Sequence, residues 1–200
     1  MAQVTCDLGV SADGYVAGPG QRLEDPLGKG GEDLHRWMFD TPEENTAELA
    51  AITDADAFIM GRNMFGPGRG DWDPEWTGWW GEDPPYHKPV FVLTHHPRAD
   101  VVMKGGTTFR FVTGGIEEAF ARARDATGDG KIAVAGGAST VNQALAAGLI
   151  NVLRLHIAPV LLGGGARLFD GIPAVRLEQV SGRSASLVTH ITYRVLPPSV

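Results

Sequence analysis

Apolar residues in this chain fall in short dense runs separated by polar, glycine-rich or proline-rich stretches. Val4 to Val10, Ala57 to Met60, Val90 to Thr94, Phe109 to Val112, Ile132 to Ala135 and Val152 to Val160 are such runs. Their length predicts strands, and the compact runs at 57–60 and 132–135 suit strands buried on both faces. Between them the period changes. Ile116, Ala119, Phe120 and Ala123 fall on one helical face, as do Val141, Leu145 and Leu149. Glu32 to Phe39 predicts a short helix with Leu34, Trp37 and Met38 inward. Thr41-Pro42-Glu43-Glu44 predicts a helix start with a capping box, running to about Thr53. At the end, Val175 to Val180, a turn at Ser181-Gly182-Arg183-Ser184, and Ala185 to Val195 predict an antiparallel hairpin.

Strands alternating with helices predict an α/β fold: one domain over residues 1–200, a mostly parallel central sheet flanked by helices, and the C-terminal hairpin at one edge. There are no internal repeats and no dividing linker. One stretch, about 66–89, has no periodicity. It holds Trp72, Trp76, Trp79 and Trp80, four of the five tryptophans, among glycines and prolines. Loops beyond ~12–15 residues are uncommon in compact domains unless functional. Two readings stand side by side: a surface flap of mutually packed tryptophans, or an aromatic wall over a planar ligand.

The chain is organised around Lys131 to Leu145. A buried strand ends at Gly136-Gly137, where missing Cβ atoms permit a sharp turn or close approach of a ligand. Ser139 or Thr140 can cap the helix that follows, and Gly148 ends it. Such a junction points free backbone N–H groups at one spot, which attracts anions, most often nucleotide phosphates.

Composition narrows the partners. The 43% apolar and 20% charged residues are those of a soluble globular protein. Seventeen Lys and Arg against 24 Asp and Glu give −7, which argues against nucleic-acid or anionic-membrane surfaces. Cys6 is alone and reads as a small core hydrophobe. The N-terminus carries no basic, then apolar, leader, and no run approaches the ~20 apolar residues of a span, so the expected location is the cytoplasm.

Several catalytic templates fail. Gly163-Gly164-Gly165 lacks the ending of a P-loop, Gly136-Gly137-Ala138 does not fit the Rossmann fingerprint, and there is no Gly-x-Ser-x-Gly elbow. His87, His95, His96, His156 and His190 lack helical metal-ligand spacing, so no metal is expected. What accumulates is a set of strand ends with small or phosphate-compatible residues: Gly61-Arg62, Thr94-His95, and Gly136 to Ser139. Ligands of open α/β sheets bind beyond the carboxyl ends of strands. Together these ends suit a dinucleotide, with Arg62 as a charge-assisted fork.

The order Ser11-Ala12-Asp13-Gly14-Tyr15-Val16-Ala17, Ile59-Met60-Gly61-Arg62, Val92-Leu93-Thr94, Gly136-Gly137-Ala138-Ser139 resembles the dihydrofolate-reductase-like superfamily. It most resembles the C-terminal reductase domain of the riboflavin-biosynthesis deaminase-reductase and its stand-alone relatives. Gly148-Leu149-Ile150 with Leu155 to Gly165 and Leu168-Phe169 is the most specific stretch. The resemblance implies NADPH as hydride donor, a small-molecule substrate and a homodimer. It places Gly61, Arg62 and Asn63 near the adenosine 2′-phosphate, with Thr94 and His95 beside them. Gly136, Gly137, Ala138, Ser139 and Thr140 belong to the turn and helix start at the pyrophosphate. Asp13 and Gly14 border the nicotinamide, and Asp33 or water supplies the proton. The nominal reaction is reduction of 5-amino-6-(5-phosphoribosylamino)uracil. The alternatives are a dihydrofolate or pterin reductase and a non-catalytic dinucleotide-binding protein. Ala135 stands where the biosynthetic reductases usually carry an acidic residue, and Asn151-Val152 replaces a frequent Asp-Glu.

Overall fold

The structure, a computed structural model, describes residues 2–66 and 70–197. In chain order its elements are β1 (Val4–Ser11), β2 (Tyr15–Ala17), α1 (Arg36–Phe39), α2 (Thr46–Thr53), β3 (Ala57–Gly61) and α3 (Arg62–Phe65). They continue with β4 (Pro89–Leu93), β5 (Val101–Val102), β6 (Thr108–Val112), α4 (Gly115–Thr127), β7 (Ile132–Gly136), α5 (Ala138–Ala146), β8 (Val152–Ala158), β9 (Ala166–Arg167), β10 (Leu177–Ala185) and β11 (Val188–Val195).

The main sheet has the order β10-β11-β8-β1-β7-β3-β4-β6-β5. Its six central strands, β8 to β6, run parallel. They are the apolar runs of the sequence, because a parallel strand is covered on both faces. The hairpin of β10 and β11 forms one antiparallel edge. The other edge is β5, also antiparallel, so antiparallel strands stand at both edges rather than one. Two residues are too short to carry a pattern.

One core packs Cys6, Leu8, Val10, Ile59, Val134, Leu153 and Leu155 against the apolar stripes of α4 and α5. On α4 that stripe includes the predicted Ala119, Phe120 and Ala123, all fully buried. A second core holds Phe58, Met60, Val90, Val92, Phe109 and Phe111 with Phe65 and Tyr86. Each such burial contributes roughly 1.5–3 kcal/mol before chain entropy is charged against it.

Three local expectations are corrected. The capping box does not form: Pro42–Glu44 is a 3-10 turn, Asn45 interrupts it, and α2 starts at Thr46. Thr41 caps nothing, and the Glu44 carboxylate accepts the N–H and hydroxyl of Ser186 at 2.9 and 2.8 Å, bracing the β10–β11 turn. That turn lies at Ser186-Leu187, since Ala185 already pairs with Val188, and Ser181 to Ser184 stay in the strand. Glu32 to Phe39 is a 3-10 turn, Gly31–His35, followed by α1, with Leu34 and Trp37 buried as expected and Met38 only half-buried.

Candidate active site

The parallel strands β3, β4, β6 and β7 end on one side of the sheet, and a cleft of ≈ 1680 Å³ opens there. Its walls include Gly61, Arg62 and Asn63 after β3, Thr94 and His95 after β4, and Gly136 to Thr140 after β7. Ten predicted residues from three separated segments therefore meet in one place. Thr113 and Gly115, after β6, join them. They were missed because nothing but the strand order brings that end alongside.

The junction of β7 and α5 shows why glycine stands there. Gly136 has φ 135°, and an added Cβ would sit 3.1 Å from the sulfur of Met64. At Gly61 a Cβ would lie 2.6 Å from Thr140 Oγ1, so the end of β3 packs on the start of α5 without a side chain between them. Gly137 differs: a Cβ there meets nothing within 4 Å and faces open cleft. Gly137 also occupies the cap position of α5, its carbonyl accepting the N–H of Val141 at 3.1 Å. Ser139 and Thr140 do not cap but sit in the first turn, which contains no acidic residue. The first amides of a helix lack intrahelical acceptors, so this part of the cleft wall presents donors that favour an anion.

Arg62 Nη1 donates to the carbonyl of Gly70 at 2.5 Å, and its guanidinium lies 4.0 Å from the Trp72 ring centroid. Thr94 is buried, its hydroxyl accepting the N–H of His96 at 3.1 Å, while His95 is exposed at the rim. The tryptophans divide between the two readings. Trp72 donates to the carbonyl of His96 and Trp76 to that of Phe65, and Trp80 stacks on Phe109 at 5.7 Å. These three pack on the second core. Among the described residues the ring contact of Trp79 is a T-shaped one with Trp76 at 4.5 Å, and with Trp80 it lines the cleft. Residues 67–69 of this stretch lie outside the described residues.

Asp13, Gly14 and Asp33 are not among the cleft-lining residues. Asp13 accepts hydrogen bonds from the Ser11 hydroxyl at 2.6 Å and from the amides of Leu162 and Gly163 at 3.1 and 2.7 Å. The Ser11 hydroxyl first, then those amides, holds its carboxyl down at about 2. Asp13 is a tie between two loops and a poor proton donor. Gly14 lies in the same turn, its N–H bonded to Ser11 and its carbonyl to Leu168. Asp33 is exposed on the 3-10 turn.

Asp7, His35, Trp37 and His156 also line the cleft, and of these the sequence points only to Trp37. Asp7 pairs in register with Arg154, whose guanidinium donates to both its oxygens at 2.9 and 3.2 Å. The recorded pairing of β1 with β7 ends at Cys6 and Val134, just before Asp7. Polar residues recurring every second position in buried strands, Asp7 in β1 and Arg154 with His156 in β8, were the available signal.

An open, mostly parallel α/β sheet with a cleft at its strand ends is the architecture shared with dihydrofolate-reductase-like proteins. The chain belongs to the family described as the RibD C-terminal domain, which matches residues 2–190. It is 25% identical over 197 residues to the uncharacterized protein YyaP of Bacillus subtilis (strain 168), covering 96% of this chain and 94% of that one. A putative riboflavin biosynthesis protein from Shewanella sp. PV-4 superposes with TM-score 0.67 at 25% identity, over 98% of this chain and 100% of its own. Dihydrofolate reductase from Enterococcus faecalis, solved with NADP(H), shares the fold at TM-score 0.56 and 15% identity, over 96% of each chain.

Proposed function

We propose that this protein is an NADPH-dependent reductase of a small heterocyclic or carbonyl compound, with 5-amino-6-(5-phosphoribosylamino)uracil as the nominal substrate. The observation that carries the reading is the convergence of Gly61 to Asn63, Thr94 with His95, and Gly136 to Thr140 on one cleft. Membership in the RibD C-terminal family supports the reaction class.

The residues fit a dinucleotide. Gly137 leaves its Cβ space open to the cleft, and the first turn of α5 offers amides with no competing carboxylate. Those amides would hold the pyrophosphate. Arg62 would meet a 2′-phosphate through its guanidinium, backed by the Trp72 ring. When bound, the cofactor supplies hydride. The chain's own work is to align the substrate against it and to exclude water, with Trp37 and Trp79 both among the lining residues.

In this reading the protein works in the cytoplasm as a homodimer, and β10, at the sheet edge with Leu177 and Val180 exposed, supports a paired edge. No helix among the described residues is long and apolar enough to cross a membrane. The test is NADPH consumption with the phosphoribosylamino-uracil, pterins and quinones, beside a direct NADPH titration. Consumption with one of them is expected. Tight NADPH binding with no oxidation by any of them would favour a binding protein, and no binding would remove the reading.

A further inference from the structure

A chain of buried polar groups leads away from the Asp7 wall of the cleft. His156 stands beside Gly9 of β1 on one side and His190 of β11 on the other. His156 Nδ1 lies 2.8 Å from His190 Nδ1, and His190 Nε2 lies 2.8 Å from Asn45 Oδ1. Both histidines are buried, and the Trp37 ring covers them at 4.8 and 5.1 Å. Asn45, fully buried, donates from Nδ2 to the carbonyls of Trp37 and Thr41 at 3.1 and 2.7 Å.

These contacts assign the hydrogens. Because Asn45 Nδ2 serves two carbonyls, Oδ1 faces His190, and an amide oxygen only accepts. His190 therefore carries its hydrogen on Nε2. Burial first, and His156 second, lower the His190 pKa to about 4, so the ring is neutral near pH 7 and its Nδ1 is a lone pair. His156 must donate from Nδ1. In neutral His156 the lone pair then falls on Nε2. That atom is buried, has no hydrogen-bond partner among the described residues, and lies 3.6 Å from Asp7 Oδ1. Two acceptors thus stand near each other at the wall of the cleft, 3.6 Å apart, and either can carry a proton.

We propose that Asp7 and His156 act together as the acid that protonates the substrate, with one exchangeable proton carried on Asp7 Oδ1 or His156 Nε2. This rests on the reductase reading above. The substrate C=X bond, X being oxygen or nitrogen, gains hydride at carbon from the reduced nicotinamide and this proton at X. Its π bond breaks, C–H and X–H bonds form, the nicotinamide is oxidised, and the pair recovers a proton from water. His190, Asn45 and Arg154 are positioning residues. His190 and Asn45 fix the tautomer of His156, and Arg154 holds the Asp7 carboxylate. The charged and titratable groups facing the two histidines are Asp7 from β1, Arg154 from β8, His35 from the 3-10 turn, and Glu48 and Arg183, which are paired with each other beside Asn45.

The test combines kinetics, cofactor titration and nitrogen NMR on the full chain. In ¹⁵N-histidine spectra of the unaltered protein at neutral pH, the hydrogens of His156 on Nδ1 and of His190 on Nε2 are expected. The opposite tautomers would overturn the assignment and the proposal. His156→Gln and Asp7→Asn are each expected to lower kcat about a hundredfold or more, within the usual range for a lost acid. NADPH affinity should change less than about threefold, about half of a tenfold free-energy step. Turnover by the unaltered protein should fall at high pH, as expected of a reaction that needs an acid, and His156→Gln should lose that fall. If either variant does not fold, the other and His190→Gln, expected to lower kcat and displace the pH profile, carry the test. Normal turnover and an unchanged pH profile in a folded, NADPH-binding His156→Gln or Asp7→Asn protein would end the proposal and leave the reductase reading standing. Failure of the unaltered protein to bind NADPH would end both.

Discussion

The carboxylate of Asp13 accepts the backbone N–H of Gly163 at 2.7 Å, across 150 positions of chain. A second oxygen takes the amide of Leu162 and the hydroxyl of Ser11, which itself accepts the N–H of Tyr15 at 2.9 Å. One side chain thus fastens the turn after β1 to the loop after β8. The ionised carboxylate is the favoured form, since all its lone pairs accept and it has no hydrogen of its own to place among three donors.

The first prediction follows from the sign of that coupling. The folded-state pKa of Asp13 is lowered from 3.8 to about 2, so its contribution is complete above the unfolded value and is lost as pH falls through about 2. Asp13→Asn should therefore be less stable than the unaltered protein at neutral pH. The gap should close between pH 4 and pH 2, because only the unaltered protein has the tie to lose there. Melting temperatures measured across that window decide the matter. Parallel curves for the two proteins would show that Asp13 ties nothing together.

A second prediction separates two adjacent glycines. Gly136 holds φ 135° with the sulfur of Met64 close by, whereas Gly137 faces open space. Gly136→Ala should cost about 1–3 kcal/mol of folding stability through backbone strain. Gly137→Val should leave stability nearly unchanged yet weaken NADPH about tenfold or more, a loss of about 1.4 kcal/mol of contact. Denaturant melts and cofactor titrations on both variants test this. Unaltered affinity in Gly137→Val would place the pyrophosphate elsewhere.

The third prediction concerns cofactor choice. Arg62 is already stacked on Trp72 and bonded to Gly70, so little ordering remains for it to meet a phosphate. A charge-assisted hydrogen bond contributes about 1.5–3 kcal/mol, so Arg62→Ala should weaken NADPH roughly ten- to a hundredfold. NADH, without the 2′-phosphate, should lose far less. Arg62→Lys should recover part of the difference because it keeps the charge without the fork. Equal losses for both cofactors would show that Arg62 does not read this phosphate.

The limits of the sequence are physical. Buried parallel strands are apolar runs, so β3, β4, β6 and β7 were legible to within a residue or two, as was the stripe of α4. Their carboxyl ends follow from the same runs, which is why Gly61, Arg62, Thr94 and the Gly136 turn could be grouped in advance. By contrast β10 is exposed along nearly its whole length and Gly182 lies within it, so no burial pattern distinguished strand from turn. Glu44 has the spacing of a capping residue but bonds Ser186, 142 positions away. Asp7, His156, His190 and Asn45 are isolated polar residues in four separate elements or junctions, and only the register of β1, β8 and β11 and the packing of the 36–46 segment join them. A lone polar residue in a buried strand asks for a partner without naming it.

The last prediction returns to the tryptophans, whose roles now differ. Trp72, Trp76 and Trp80 pack on the second core, and the first two spend their indole N–H groups on backbone carbonyls. Trp80 lies over Phe109 with an interplanar angle of 18°. Removing such a ring leaves a hole, so Trp80→Ala should cost roughly 3 kcal/mol, the lower end for aromatic truncation because the side chain is only half-buried. Trp79 stands outside that core and lines the cleft. A flat substrate entering beside the nicotinamide would change its surroundings most. NADPH with a true substrate should therefore quench intrinsic fluorescence beyond the cofactor alone, and Trp79→Phe should remove most of that extra quench while leaving the melting temperature nearly unchanged. Trp79→Ala should in addition raise KM more than it lowers kcat, the mark of binding lost equally from ground and transition states. Trp76→Phe is the control, since Trp76 is held by Phe65 and should keep the signal. A normal quench and normal KM in both Trp79 variants would make the whole segment a structural flap, and recognition of the substrate would then fall to the region around Trp37.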